Sequence, residues 1–213
     1  MSENTKVNMF VDADSIFFKV AYSAKNDKEL RVNYDTFCRR MELEVTNKLV
    51  NPFDNKQLLA PIYAVKGNDN YRKKLSSDYK STRPDLDQEI KDKLNFLHAH
   101  AMNKGAVAST GMEADDLVSI WAYEAREKEE QYVICGIDKD LLQIPGNHYN
   151  YGKDTWTFID DLTGNYNLML QCLTGDNSDN IKGIKGIGPK KAAKILEGID
   201  TPADRWERVI KEW

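Results

Sequence analysis

Short apolar runs alternate with amphipathic stretches along most of the chain. Apolar runs predict buried strands at Val7–Val11, Pro61–Val65, Ala106–Ala108 and Gln131–Ile137. Between them, apolar residues at three- and four-residue spacing and helix-ending signals predict helices at Ser15–Tyr22, Tyr34–Leu49, Pro84–Asn103 and Glu113–Glu130. Strands that alternate with helices predict an α/β fold, with a mostly parallel central sheet and helices on both faces.

The pattern changes near residue 160. Helical stretches follow at Tyr166–Leu173, Lys190–Leu196 and Ala203–Trp213, with a Gly/Asp-rich connection between the first two. We therefore predict an α/β domain over residues 1–160 and a helical module over residues 161–213. In an open parallel sheet, ligands bind outside the carboxyl ends of the strands. Asp12 and Asp138 each follow such a strand end.

Composition narrows the class of protein. The 213 residues are 41% hydrophobic and 30% charged, which is typical of a globular protein with a sizeable core. Only three cysteines and three histidines occur, so a disulfide framework or a Cys/His zinc site is not expected. No apolar run approaches the roughly 18 residues of a membrane span. We expect a cytoplasmic, monomeric protein without a membrane partner.

The charges are segregated along the chain. Residues 66–83 hold six basic and two acidic side chains, and residues 181–194 hold five lysines and no acid. Residues 112–130 hold seven acids and two bases. Such blocks are usually solvated faces. The alternative is a polyanion held by two basic patches above an acidic centre, which requires that the acids hold metal ions.

Carboxylates stand at the predicted strand ends and helix starts. Each set of neighbouring acids, taken alone, is explained by the favourable interaction of acids with a helix N-terminus. Together, however, they would repel one another unless cations lay among them, and an all-oxygen ligand set favours Mg²⁺ or Mn²⁺. Two such ions would activate a water and stabilise the leaving oxygen in phosphodiester hydrolysis. The candidate ligands are Asp12, Glu113, Asp115, Asp116, Asp138, Asp140, Asp176 and Asp179.

A second signature lies in the helical module. The glycines of Gly186-Ile187-Gly188 allow the backbone to approach a ligand closely, and Pro189 suits the first position of the next helix. Free N–H groups and lysines there would bind nucleic-acid phosphates without reading base sequence. The alternative is a tightly packed corner between two helices. The lysines concerned are Lys182, Lys185, Lys190 and Lys191.

These residues together resemble the 5′-nuclease superfamily, the flap endonucleases and 5′→3′ exonucleases, and are closest to its phage or bacterial members. The first-strand aspartate, the EADD motif, a D-x-D motif and a GD..DN..G..GIG signature occur in the family's order. A basic "YK..R" stretch is also present. In this sequence they are Asp12, Glu113–Asp116, Asp138–Asp140, Gly175–Gly188 and Tyr79–Arg83.

The resemblance implies a PIN-like nuclease domain with a helical arch region at about residues 66–104. It implies that Asp12, Glu113 and Asp115 hold a first metal ion, and that Asp116, Asp138 and Asp140 hold a second. Asp176 and Asp179 would lie behind the second ion or bind it through water. Lys80 and Arg83 would contact the scissile or adjacent phosphate with support from Arg72, and residues 161–213 would bind DNA, with a K⁺ ion at the Gly186-Ile187-Gly188 turn.

The sequence departs from the family pattern after the second strand. The family usually has an aspartate there, where this chain has Lys66, Gly67 and Asn68; Asp69 is the nearest acid and comes late. The chain ends at Trp213, where many members continue, as expected of a compact member or of a shortened chain.

The expected activity is that of a metal-dependent 5′-nuclease that cuts DNA, a duplex with a free 5′ end or a flap, by a two-metal-ion mechanism. One alternative is a ribonuclease that removes RNA from RNA–DNA hybrids. The other is a DNA-end-binding module without full metal binding.

Overall fold

The computed structural model describes residues 5–50 and 56–213 and has an α/β fold. The chain forms two compact units. Unit 1 comprises Met1–Asn70, Asp85–Ile137 and Gly146–Thr157, and unit 2 comprises Tyr71–Pro84, Asp138–Pro145 and Phe158–Trp213. Two segments that precede residue 160 therefore belong to unit 2, and the domain boundary at residue 160 stays a prediction. No helix among the described residues is both long and apolar enough to cross a membrane.

The central sheet is mostly parallel, which confirms the predicted fold class. Its strands lie in the order β4-β3-β1-β5-β6-β7, and β2 also pairs with β1. The pairs of β1 with β2, β3 and β5, of β3 with β4 and of β5 with β6 are all parallel. The pattern of apolar residues predicts four of these strands; β2, β6 and β7 were not predicted. The strands are β1 Thr5–Asp12, β2 Lys56–Leu58, β3 Ile62–Val65, β4 Val107–Ala108, β5 Gln131–Cys135, β6 Gly146–Asn150 and β7 Thr155–Ile159.

The helices before residue 130 follow the predicted order, with shifted ends and one short addition, α3. The second helix starts at Asp27 rather than Tyr34, because Asn26 caps it by accepting a hydrogen bond from the backbone N–H of Glu29. The fourth starts at Gln88 rather than Pro84. The five helices are α1 Asp14–Ser23, α2 Asp27–Leu49, α3 Tyr71–Leu75, α4 Gln88–Asn103 and α5 Ala114–Glu127.

The core of unit 1 lies between β1, β5 and the helices packed on them. Met9 and Val11 of β1 and Val133 of β5 are fully buried, as expected for central strands of a parallel sheet. Helix α4 packs against α1 and α2, and its Leu97 is fully buried. The second half of the predicted arch region is therefore a core helix of unit 1.

Unit 2 has its own small core around α6. Met169 and Leu173 of α6 pack with Ala192, Leu196 and Val209 from the last two helices. A short antiparallel hairpin follows α6. It requires glycine at its base, since a Cβ on Gly175 (φ +70°) would lie 2.2 Å from the backbone nitrogen of Gly183. The elements are a 3₁₀ helix at Lys139–Gln143, α6 Asp161–Thr174, β8 Gly175–Asp176, β9 Ile181–Lys182, α7 Pro189–Leu196 and α8 Pro202–Glu212.

Candidate active site and phosphate-binding residues

Asp12 is the last residue of β1 and lies at the carboxyl end of the parallel strands in unit 1. It pairs in register with Ala64 of β3 and is only 8% exposed. The Tyr151 hydroxyl donates to its backbone carbonyl oxygen at 2.7 Å. The strand ends at a fixed position, and the Asp12 carboxylate is held in a confined environment.

The acids of the EADD motif stand at the first turn of α5. Glu113 is the N-cap residue and forms a reciprocal capping box with Asp116, whose Oδ2 accepts from the Glu113 N–H at 3.0 Å. Asp115 Oδ1 accepts from the Asp116 N–H at 2.8 Å. Helix capping therefore accounts for part of the placement of these acids, as the dipole alternative anticipated. All three side chains remain partly exposed.

Asp14, two residues after Asp12, is a carboxylate that the motif search missed. Its Oδ1 accepts from the Lys66 N–H at 3.1 Å, and the backbone carbonyl of Lys66 lies 3.0 Å from Nε2 of His98. Burial raises the pKa of Asp14 and the negative charge of Glu113 adds to the rise, whereas Lys66 and His98 oppose it. Asp14 therefore lies within electrostatic reach of the EADD motif.

Gly67, one of the three residues that stand where the family usually has an aspartate, has no room for a side chain. The Gly67 N–H donates to Oγ of Ser109 at 3.0 Å, and a Cβ on Gly67 would lie 1.9 Å from the Ser109 carbonyl oxygen. Any side chain would collide with that backbone. Asn70 instead contacts the EADD motif, since its Nδ2 donates to Oε1 of Glu113 at 2.9 Å, while Asp69 is exposed and accepts from the Asn70 N–H. A search limited to charged side chains overlooks this amide.

In unit 2, one amide links two predicted carboxylates. Nε2 of Gln171 donates to Oδ1 of Asp140 at 2.8 Å and to Oδ2 of Asp176 at 3.0 Å. Its own oxygen accepts from Nε2 of Gln143. Asp138 caps the 3₁₀ helix by accepting from the Asp140 N–H at 2.9 Å. Gln171, which no sequence motif indicated, thus sets the spacing of the Asp140 and Asp176 carboxylates.

The charges of these carboxylates are unequally compensated. Burial raises the pKa of Asp140, and the negative charges of Asp138 and Asp176 raise it further. Burial also acts on Asp176, but hydrogen bonds from Ser178 and from Lys139 outweigh it and hold the pKa of Asp176 well below its ordinary value. The Lys139 ammonium lies 2.9 Å from Asp176 Oδ2. Gln171 and Lys139 only partly oppose the rise in the pKa of Asp140, so Asp140 keeps more unbalanced negative charge than Asp176, and a cation would neutralise it.

The basic "YK..R" segment forms a turn rather than a helix. Lys80 has a left-handed backbone (φ +56°), and the side chains of Lys80 and Arg83 nevertheless reach the same partner, Asp179. Arg72 lies in α3, where its guanidinium is 4.8 Å from the ring centroid of Tyr71. Of the predicted residues, the structure thus brings Lys80, Arg83 and Asp179 together.

The Gly186-Ile187-Gly188 turn precedes α7 as predicted. Gly186 has φ +80°, and Gly188 is the N-cap residue with Pro189 behind it. Ile187 is half-buried against the core of unit 2, so its side chain packs inward. Nζ of Lys191 donates to the Gly186 carbonyl at 3.0 Å. The exposed lysines are Lys182, Lys185, Lys190 and Lys191.

The carboxylates do not form a preassembled metal cage. Within residues 5–50 and 56–213, no group of three or more His, Cys, Asp or Glu side chains is placed to hold a metal ion as it stands. The donor chemistry still fits a hard divalent cation, because the predicted ligands are all carboxylate oxygens and the Asp140 charge is only partly compensated.

Comparison with known proteins identifies the relatives of this chain. Residues 7–164 match the family described as 5′-3′ exonuclease, N-terminal resolvase-like domain. DNA polymerase I of Rhizobium leguminosarum is 34% identical over 149 residues, which cover 63% of this chain and 15% of the polymerase. A 5′-3′ exonuclease of Buchnera aphidicola subsp. Schizaphis graminum is 25% identical over 214 residues, covering 95% of this chain and 74% of that protein.

Solved structures show the same fold. A bacteriophage T5 flap endonuclease, crystallised as a pseudo-enzyme-product complex with DNA and metal ions, superposes with a TM-score of 0.71 at 14% identity. The superposition covers 97% of this chain and 87% of that one. At this identity the likeness establishes the architecture alone, and the family match carries the relationship.

Proposed function

The chain belongs to the family of 5′-3′ exonuclease N-terminal, resolvase-like domains, and from this premise we propose that it is a metal-dependent 5′-nuclease that hydrolyses DNA near free 5′ ends. The family is a nuclease family. For this chain we propose the substrate, the metal ions and the roles of the individual residues. Since the chain spans only 15% of the related polymerase, nothing of that protein's other activity is included.

The observation that carries the proposal is the carboxylate pair of Asp140 and Asp176 in unit 2. The two carboxylates share the single amide nitrogen of Gln171, and Asp138 lies close enough to raise the pKa of Asp140. Lys139 balances much of the charge at Asp176, but the like charges of Asp138 and Asp140 favour a further positively charged ligand that neutralises them. A divalent cation is that ligand, which two solved relatives support, since their crystals contain metal ions.

Each unit contains carboxylates that are proposed as metal ligands. In unit 1 they are the buried carboxylate of Asp12 and the three acids at the start of α5, Glu113, Asp115 and Asp116. In unit 2 they are Asp138, Asp140 and Asp176. Two Mg²⁺ or Mn²⁺ ions would supply an activated water and stabilise the leaving oxygen.

The chain's own groups position these ligands and the DNA. Tyr151 and the capping box hold the backbones of Asp12 and the EADD motif, and Gln171 holds Asp140 against Asp176. Lys80 and Arg83 provide the cations for the scissile or adjacent phosphate, and Arg72 supports that segment. Positive charge that is fixed before the reaction stabilises the negative charge that develops on a phosphoryl group.

The turn before α7 provides the second DNA contact. Its exposed lysines and the N-terminus of α7 would bind backbone phosphates, with contributions from Lys182, Lys185, Lys190 and Lys191. The proposal also places a K⁺ ion on the backbone carbonyls of Gly186-Ile187-Gly188. Nζ of Lys191 donates to the Gly186 carbonyl, so K⁺ would have to replace this hydrogen bond or use the other carbonyls.

A cleavage assay tests the proposal. The protein is incubated with Mg²⁺ or Mn²⁺ and 5′-labelled duplex DNA, a 5′-flap substrate and an RNA–DNA hybrid, with EDTA and Asp116→Asn controls. The 5′-nuclease is supported if labelled products are released from DNA and if both EDTA and Asp116→Asn abolish that release. Cleavage of the RNA strand of the hybrid alone would establish the ribonuclease alternative. Metal-independent binding to DNA ends without any cleavage would establish the end-binding module and overturn the proposal.

A further inference from the structure

In unit 2, the carboxylate of Asp179 is enclosed by the side chains of the "YK..R" segment. The Tyr79 hydroxyl donates to its Oδ2 at 2.8 Å, and Nη2 of Arg83 lies 2.9 Å from its Oδ1. Nζ of Lys80 lies 3.6 Å from Oδ2. The Asp179 side chain is only 15% exposed and that of Lys80 only 18%, whereas the Arg83 side chain is 55% exposed.

The backbones of the two segments are also joined. The Lys80 N–H donates to the Asp179 carbonyl at 2.9 Å, and Nδ2 of Asn180 donates to the Asp78 carbonyl at 2.9 Å. Lys80 and Asn180 both have φ of 56°, in a region that non-glycine residues seldom adopt. Asn tolerates this conformation but a long side chain such as Lys seldom adopts it, so the contacts to Asp179 hold the Lys80 turn in place.

We propose that Asp179 is a positioning residue for the phosphate-binding cations: its carboxylate holds Lys80 and Arg83 in place before DNA binds, and a DNA phosphate then displaces it from Arg83. This inference rests on the proposed function, in which both cations contact DNA. It departs from the expectation that Asp179 lies behind a metal ion, since a carboxylate that is paired with two cations has little net charge left to offer a divalent ion.

The geometry explains why Arg83 is the group that exchanges. Its guanidinium is more exposed than the side chains of Tyr79 and Lys80 around Asp179. A planar guanidinium can form bidentate hydrogen bonds to a phosphate as well as to a carboxylate. Lys80 is mostly buried beside Tyr79, with its ammonium 4.9 Å from the ring centroid. Lys80 therefore keeps its position while Arg83 changes partner.

The test uses Asp179→Asn, which keeps the shape and one acceptor oxygen but removes the charge. DNA affinity, measured in Ca²⁺, should rise by about three- to tenfold because a competing anion is gone. Turnover at saturating DNA should fall by about tenfold or more because Lys80 and Arg83 lose their fixed placement. The Mn²⁺ concentration for half-maximal cleavage should change by less than about twofold, since a metal ligand has not been removed.

Two further variants keep the inference falsifiable. In an Arg83→Ala background, Asp179→Asn should no longer raise DNA affinity, because the paired cation is absent. Tyr79→Phe, which removes one hydrogen bond to Asp179 and no charge, should lower turnover without raising DNA affinity. Should Asp179→Asn fail to fold, the Tyr79→Phe result decides, and unchanged turnover in that variant would reject the positioning role.

Three further results would overturn the inference. They are a tenfold or greater rise in the Mn²⁺ requirement of Asp179→Asn, weaker Mn²⁺ binding in calorimetry, and an equal affinity gain with and without Arg83. If the wild-type protein does not cleave DNA at all, the proposed function fails. DNA affinity in Ca²⁺ can still be compared in that case for the wild type, Asp179→Asn, Arg83→Ala and the double variant. This comparison tests the pairing of Asp179 with Arg83 without cleavage, so the two failures are distinguishable.

Discussion

The ammonium group of Lys139 lies 2.9 Å from Oδ2 of Asp176. The two residues stand at the start of the 3₁₀ helix and at the end of β8, and the Asp176 side chain is almost fully buried. Asp176 also accepts from the N–H and hydroxyl of Ser178. A buried carboxylate in unit 2 is thus kept ionised by hydrogen bonds from Ser178 together with one cation from outside its own loop.

Lys139→Met should lower the stability of the folded protein at neutral pH and not in strong acid. The pKa of Asp176 lies well below its ordinary value in the folded state, so its ionisation stabilises the fold above the unfolded pKa of about 3.9. That contribution is lost as the pH falls through the folded-state pKa. Because the Lys139 side chain is 62% exposed, the loss at pH 7 should be at most about 1 kcal/mol.

Urea unfolding without divalent metal, at pH 7 and in acid below the folded-state pKa of Asp176, measures this difference. Lys194→Met, at an exposed lysine in the last turn of α7, is the matched control and should change stability at neither pH. A stability difference for Lys139→Met that is as large below the folded-state pKa of Asp176 as at pH 7 would show that the lysine acts through packing instead.

Asp116→Asn should reduce cleavage by at least about a hundredfold while leaving DNA binding intact or tighter. The substitution removes a proposed metal ligand and a negative charge near phosphates. The amide oxygen of the new Asn side chain can still accept from the Glu113 N–H. The substitution should therefore lower the folding stability by less than about 1 kcal/mol. Cleavage rates in Mg²⁺ and unfolding curves separate these effects. Cleavage at the wild-type rate would eliminate Asp116 from the metal site.

Lys80→Ala should slow the chemical step far more than it weakens DNA binding. The residue already has a left-handed backbone, and Ala adds no backbone strain that Lys does not have. What is lost is a positive charge placed where negative charge develops in the reaction. Single-turnover cleavage at saturating DNA, compared with affinity in Ca²⁺, measures the two losses. Equal losses would make Lys80 an ordinary backbone contact.

Replacing both Lys190 and Lys191 by Ala should weaken DNA binding without affecting turnover at saturating DNA. Counterion release predicts that the salt dependence of affinity becomes shallower by nearly two, at about 0.9 per phosphate contact. The loss should be equal for two unrelated duplexes, because backbone contacts carry no base information. Binding is measured against salt in Ca²⁺, with Lys194→Ala as the control. An unchanged slope would identify the turn as a structural corner.

Gly67→Ala should destabilise the protein by about 1–3 kcal/mol, since its Cβ would lie 1.9 Å from the backbone oxygen of Ser109. Gly67→Asp should be at least as damaging, so an aspartate at this position should not raise activity. Gly188→Ala is the control, because a Cβ there meets nothing within 4 Å. Urea unfolding of the three variants checks the order. A stable and more active Gly67→Asp protein would contradict the clash.

The sequence predicted the central strands and most helices because burial on a parallel sheet leaves a periodic apolar signal. The signal fails at β6 and β7, since Gly146–Asn150 and Thr155–Ile159 are largely polar or exposed. It also fails at the start of α2, which depends on a cap at Asn26 rather than on apolar spacing. Strand pairing and capping hydrogen bonds leave little trace in hydrophobicity.

The sequence by itself determined the fold class, the family and the identity of the acidic and basic residues, because residue type and order along the chain carry that information. Only the tertiary structure decided which of them meet. Lys80 and Arg83 reach one partner, Asp179, through a turn and not through helical spacing. Asn70 contacts Glu113, and Gln171 joins Asp140 to Asp176. Such contacts join residues far apart in the chain, and their hydrogen-bond geometry depends on how the backbones fold, which no local pattern records.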